Sequence, residues 1–228
     1  LAQAKPLDES SNQPMRIFYT WDLSDPPRFH HEPIDGTYFD WLFSRLAGTG
    51  ITFLFRCNLA GRTYYHSELM KPMDESAINS SNPQALEMWR TVTRVLEVCN
   101  PLAEAVRAAR KYDVPIWAWW NWQEFQCVRR GWLELIDPTW YENPRKYWCT
   151  RDGSRFYHGI PDWGDQEVRE RLTALAEESL GYGVDGLYLS SRSHSWQACW
   201  PTRGWSEHLE PFGFNDSVVE AYKARYGR

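Results

Sequence analysis

Ile51-Thr52-Phe53-Leu54-Phe55-Arg56 is a nearly continuous apolar run that ends on a charge. A strand with one wet face alternates apolar and polar residues, whereas a strand covered on both faces reads as an unbroken apolar run, the pattern of a parallel sheet under helices. Gly48 and Gly50 precede it and stop a helical stretch, Tyr38 to Ala47, in which Phe39, Leu42, Phe43 and Leu46 recur at i, i+3, i+4 and i+7. Further upstream, Arg16-Ile17-Phe18-Tyr19-Thr20-Trp21 is a β-branched and aromatic run stopped by Asp25-Pro26-Pro27, which predicts a first strand and its turn. Residues 1–14 are polar and contain proline, and read as a disordered lead-in.

Downstream, a polar loop runs to Asn82. Pro83 then opens a helical region through Lys111 that breaks at Asn100-Pro101, because proline cannot continue the hydrogen-bond ladder. Val114 to Trp120 is the third strand. Asn121 to Trp163 is aromatic and punctuated by Pro and Gly, without helical period, and loops of that length usually serve function. Asp165 to Leu180 returns to helix, with Val168, Leu172, Leu175 and Ala176 on one face and Gly181 and Gly183 past its end. Val184-Asp185-Gly186-Leu187-Tyr188-Leu189-Ser190 is the fourth strand. The helix Asn215 to Tyr226 follows, with Asn215 as N-cap and Val218, Val219 and Tyr222 on one face.

The order β-α-β-α-β-α-β-α, with long crossovers, predicts an α/β protein with one parallel sheet. The expected fold is a (β/α)8 barrel of the TIM type. Only about the first four β/α units are visible over residues 15–228, since a complete barrel takes about 250 residues. A small open α/β sheet and a half-barrel that pairs with another chain are the alternatives.

The 228 residues include 14 Trp, 12 Tyr and 10 Phe. Large cores absorb many of these rings, and flat indole faces also suit the apolar faces of sugars, so carbohydrate is the expected partner. The net charge of −5, with no basic stripe, argues against nucleic acid. No run approaches the ~18 apolar residues of a membrane span. Five cysteines without a CxxC pair and six dispersed histidines predict neither a zinc site nor another metal or cofactor, and leave one bridge, Cys127 to Cys149, open. Ala2-Gln3-Ala4 has the small-x-small form of a signal-peptidase site and points to a secreted or periplasmic protein.

In parallel β/α folds the site lies at the carboxyl ends of the strands. Those ends carry Trp21 and Asp22, then Arg56 and Asn58, then Trp120, Asn121, Trp122 and Glu124, then Arg192 and His194. Glycoside hydrolysis needs two carboxyl groups about the scissile bond, and Asp22 and Glu124 are the candidates. Arg56, Asn58, Asn121, Arg192 and His194 are expected to bind hydroxyls, and Trp21, Trp120 and Trp122 to stack on rings. Asp162 reads as an N-cap, and Asp185 as part of a turn at the opposite end of its strand.

Three segments carry a family resemblance: Val114 to Glu124, a strand ending in Trp-x-Asn; Ile160-Pro161-Asp162-Trp163 through Gln166-Glu167-Val168-Arg169-Glu170; and Tyr182 to Leu189. Phe212-Gly213-Phe214-Asn215 and the helix from Val219 to Gly227 fit as well. The chain resembles the family-10-type glycosyl-hydrolase-like domains of bacterial secreted proteins. That resemblance implies a (β/α)8 barrel and hydrolysis, or non-catalytic binding, of a poly- or oligosaccharide. One departure stands out. Such barrels often place an acid after the Asp-Gly strand, whereas this chain has Ser190-Ser191-Arg192-Ser193-His194.

Overall fold

The computed structural model of the chain describes residues 16–26, 33–74, 83–122, 143–154, 156–190 and 213–227. The elements are β1 (Ile17–Trp21), α1 (Gly36–Leu46), β2 (Ile51–Arg56), the short strands β3 (Asn58–Leu59) and β4 (Arg62–Thr63), α2 (Pro83–Val98), α3 (Pro101–Tyr112) and β5 (Ile116–Asn121). They continue with a 3-10 turn (Pro144–Lys146), β6 (Tyr147–Cys149), β7 (Phe156–Pro161), α4 (Gln166–Gly181), β8 (Gly186–Ser190) and α5 (Asp216–Tyr226). Strands β1, β2, β5 and β8 form one parallel sheet in that spatial order. The order never reverses along the chain, unlike a doubly wound sheet with its switch point.

Alternation sorts the strand residues onto two faces. Phe53 meets Phe43 of α1 with ring centroids 4.7 Å apart, and the Trp120 indole N–H donates to Ser179 Oγ of α4 at 3.2 Å. Phe53, Phe55, Ile116, Ala118 and Trp120 therefore face the helices, and all are buried. Enclosing each such large apolar side chain stabilises the fold by roughly 1.5–3 kcal/mol. The other face carries Phe18, Trp117, Trp119 and Tyr188, which meet in pairs at 5.7 Å (Phe18 and Trp117) and 6.3 Å (Trp119 and Tyr188).

Phe18 and Tyr188 approach within 6.5 Å, although their strands are the two edges of the sheet. In a flat sheet three strand spacings would hold them ~14 Å apart. The sheet is thus strongly curved, concave towards this aromatic face. Its strands also climb. Tyr19 pairs with Phe53 and Phe53 with Ile116, while Trp117 pairs with Gly186. Ile17 opens β1 two residues below that line and Gly186 opens β8 one residue above it, an advance of about one residue per strand.

The local chemistry explains most boundaries. Asp35 accepts hydrogen bonds from the Thr37 and Tyr38 amides at 2.8 and 3.3 Å, so α1 starts at Gly36, earlier than its apolar period suggested. Asp165 caps α4 through the Val168 amide at 3.1 Å and also takes Lys146 Nζ at 2.9 Å. Asp162, expected to be an N-cap, instead accepts from the Gly164 amide and from Ser217 Oγ at 2.9 and 2.8 Å. Asp185 sits at the amino end of β8, accepts from the Ile116 amide at 2.9 Å and pairs with Arg110.

Four expectations are corrected. The stretch read as irregular contains the antiparallel pair β6–β7, whose register shifts between Tyr147 and Trp148; strands this short, paired irregularly, leave no clean period. Asn215 makes no side-chain cap bond: its amide accepts from the Cys149 N–H at 3.1 Å and donates to the Tyr147 carbonyl at 2.7 Å. The face of Val218, Val219 and Tyr222 is not buried, and α5 buries none of its side chains. Cys149 is a free thiol, so the bridge left open with Cys127 is not made. Cys127 and the lead-in lie outside the described residues. No helix among the described residues is long and apolar enough to cross a membrane.

Candidate functional site at the carboxyl edge of the sheet

Parallel pairing brings the ends of β1, β2, β5 and β8 to one edge, and side chains stitch the first three together there. Arg56 Nη1 donates to Asp22 Oδ2 in a buried ion pair, while Asp22 Oδ1 accepts from the Ser24 amide at 2.9 Å and from Ser24 Oγ at 2.7 Å. Arg56 Nε donates to the Asn58 carbonyl at 2.9 Å. Asn58 Oδ1 accepts from the Asn121 amide at 2.9 Å, and its Nδ2 donates to the Asn121 and Ala60 carbonyls, both at 3.2 Å. The Trp122 amide reaches the Ser190 carbonyl at 3.0 Å and so ties in β8. Arg56, Asn58 and Asn121 are all buried, and these bonds engage the Arg56 and Asn58 side chains as enclosed polar groups require.

The charge state of Asp22 follows from its contacts. Burial alone would raise its pKa, but the Arg56 charge and the two Ser24 donors outweigh burial and hold the carboxyl below the ordinary aspartate value. It is ionised at neutral pH and cannot deliver a proton there. It pairs with Arg56, whose guanidinium lies 5.5 Å from the centroid of the Trp119 ring.

Two of the expected stacking tryptophans are core residues. Trp21 is 2% exposed, packs against Phe39 and Phe55 at 5.3 and 5.1 Å, and donates its indole N–H to Tyr38 Oη at 3.2 Å. That partly enclosed phenol is pushed up to about 12 by burial. Trp120 is 1% exposed and lies under Tyr65 in an edge-to-face contact at 6.3 Å. Strand alternation sends both towards the helices. Trp122 lies just past β5, is only partly buried, and stacks on Trp163 with ring planes 6° apart and centroids at 5.0 Å.

The structure therefore brings Asp22, Arg56, Asn58, Asn121 and Trp122 to one edge and takes Trp21 and Trp120 out of reach. Glu124, Arg192 and His194 lie outside the described residues. Sequence reasoning missed Trp119 and Trp163. The first was legible from period two, since Trp117, Trp119 and Asn121 alternate with Trp120; the second depends on the β6–β7 pair, which left no pattern. The indole N–H groups of Trp119 and Trp122 are enclosed without an acceptor among the described residues. Beside β1 a cavity of about 230 Å³ is lined by Tyr19, Asp22, Asp25, Tyr38 and Trp41. Among the described residues no three His, Cys, Asp or Glu side chains stand together as a metal site.

The arrangement defines a parallel α/β protein with a buried polar network and an indole pair at the carboxyl edge of its sheet. No protein-family model matches the chain, and no curated protein matches it.

Proposed function

We propose that the chain is part of a (β/α)-barrel domain of the glycoside-hydrolase-like kind, and that it binds a poly- or oligosaccharide at the carboxyl edge of its sheet. The barrel reading is supported by the sequential strand order, the curvature that joins Phe18 to Tyr188, and the climb of about one residue per strand, which matches a shear of eight over eight strands. The observation that carries the sugar reading is the stacked pair Trp122–Trp163 beside the Asp22–Arg56–Asn58–Asn121 network. Indole faces and N–H donors next to fixed polar groups suit a ligand with apolar ring faces and many hydroxyl oxygens.

Turnover needs a proton donor. Asp22 is ionised and held by Arg56, so Glu124 is the carboxyl left to act as acid/base. The engagement of Asp22 also favours a second reading, a non-catalytic carbohydrate-binding domain that keeps the cleft without an acid pair.

The test is a panel of soluble polysaccharides, scored for binding by affinity electrophoresis and for release of reducing ends. Trp122→Ala is expected to weaken binding about tenfold, the equivalent of 1.4 kcal/mol, with the fold intact. Glu124→Gln is expected to abolish release and leave binding unchanged. Binding without release in the unaltered chain selects the second reading, and no binding to any member of the panel overturns both.

A further inference from the structure

We propose that Asp162 is a positioning residue for the indole pair: seated on Ser217 at the start of α5, it holds the turn that carries Trp163, so that this ring stands against Trp122 before a ligand arrives. Its part in binding rests on the saccharide reading above, whereas the placement of the ring does not.

Trp163 and Gly164 are the central residues of a tight turn, closed by the Asp165 amide on the Asp162 carbonyl at 3.0 Å. The Asp162 amide donates to the Lys146 carbonyl at 2.7 Å, which fixes the entry to the turn. Its Oδ1 folds back to accept from the Gly164 amide at 2.9 Å, the local bond that aspartate makes readily in turns. Arg169 of α4 donates to the Trp163 and Gly164 carbonyls at 2.8 and 2.6 Å. The backbone on either side of the indole is thus held by partners from three elements.

Asp162 is 3% exposed, and its Oδ2 accepts from Ser217 Oγ at 2.8 Å, so the helix supplies a donor that an enclosed carboxylate requires. Gly164 gives independent support. A Cβ there would lie 2.4 Å from Ser217 Oγ and 2.9 Å from Ser217 Cβ. The backbone of Gly164 is not in the left-handed region, so the close approach of α5, and not conformational freedom, calls for glycine at this position. Ser217 is itself presented from a fixed point, because Asn215 bonds the Cys149 amide and the Tyr147 carbonyl. The Trp122 and Trp163 rings, 5.0 Å apart and 6° from parallel, leave no room for a sugar between them, so a ligand meets a platform that is already assembled. A ring left loose would have to be ordered at the moment of binding, which weakens affinity about threefold to tenfold. Asp162 acts here through shape and hydrogen bonding. Asparagine offers an acceptor for the Gly164 amide and a donor for Ser217 Oγ, and is expected to serve as well.

The experiment labels the full 228-residue chain with 5-fluorotryptophan and assigns the fluorine resonances of Trp122 and Trp163 from Trp122→Phe and Trp163→Phe. Ser217→Ala and Asp162→Ala are expected to move both resonances towards that of free fluorotryptophan, while Asp162→Asn leaves them in place. Affinity electrophoresis with hydroxyethyl-cellulose, soluble xylan and galactomannan supplies the second readout. Ser217→Ala is expected to weaken binding about threefold to tenfold to any of these that retards the unaltered chain, and Asp162→Asn to leave it unchanged. Ser217→Ala removes one hydroxyl from a partly buried helix turn, so it reads the contact even if Asp162→Ala does not fold. Resonances that stay in place in Ser217→Ala overturn the proposal, as do resonances that move as far in Asp162→Asn as in Ser217→Ala. Moved resonances with undiminished affinity overturn the part in binding. If none of the three polysaccharides retards the unaltered chain, the saccharide reading falls for them, and the fluorine shifts still decide what places the Trp163 ring.

Discussion

The Tyr65 hydroxyl donates to Glu178 Oε2 at 2.6 Å, joining the loop after β2 to the last turns of α4. The same carboxylate accepts from Ser67 Oγ at 2.6 Å and from the Glu68 amide at 2.7 Å. One side chain therefore holds a loop that has little regular structure of its own. Glu178→Ala is expected to cost about 2 kcal/mol, the scale of hydrogen bonds to a charged group, and to raise amide exchange over residues 66–70. Urea denaturation with exchange mass spectrometry checks both, and unchanged exchange there would refute the clamp.

Asp22→Asn leaves Arg56 charged and enclosed, with the Asp22 carboxylate removed from beside it. Removing one partner of a buried pair costs about 3 kcal/mol or more. Replacing both, in Asp22→Asn/Arg56→Met, is expected to cost less than the single change. A double-mutant cycle by denaturation reads the difference, and simple additivity would contradict the pairing.

Acid stability follows from the same carboxylate. The folded pKa of Asp22 lies below its unfolded value, so its contribution is complete above the ordinary aspartate value of about 3.9 and is lost as pH falls through the folded value. Asp152, lowered to about 2 by hydrogen bonds from Thr150 and Ser154, acts in the same direction. Unfolding free energies measured between about pH 5 and pH 2 should fall for the unaltered chain and fall less for Asp22→Asn.

Trp120→Ala should cost about 3–5 kcal/mol, as deletion of a fully enclosed ring does. Trp122→Ala, at the partly buried stack with Trp163, should cost under about 2 kcal/mol. Thermal melts of the two variants side by side separate the core indole from the one at the cleft, and equal losses would erase that distinction.

Asn215 anchors α5, which buries no side chain of its own. An isolated helix of that length is marginal in water. Asn215→Ala should therefore speed amide exchange throughout residues 216–226 while leaving the unfolding midpoint of the sheet nearly unchanged.

The sheet was readable because apolar runs such as Ile51–Arg56 and the 3.6-residue period of Phe39, Leu42, Phe43 and Leu46 report burial directly. All four strands of the parallel sheet and all five helices of the described residues lie where those patterns place them, within a few residues. The candidate site was readable as a location, because the charge or amide that ends each apolar run falls at one edge. Its chemistry was less so. Whether Trp21 is a platform or a core ring depends on what packs against it, and one position in a strand turns a side chain from cleft to helix. The commitment of Asp22 to Arg56 is a contact across 34 residues that no local pattern encodes. The β6–β7 pair and the clamp of Asn215 are likewise contacts at a distance.

Asn58 and Asn121 hold each other largely through main-chain atoms, and Arg56 leans on the Asn58 carbonyl. These bonds tie the ends of β2 and β5 directly to each other. Strand ends fastened in this way act as a jig: they set where the chain leaves β2 and β5, so a substitution at Asn58 moves both exits at once.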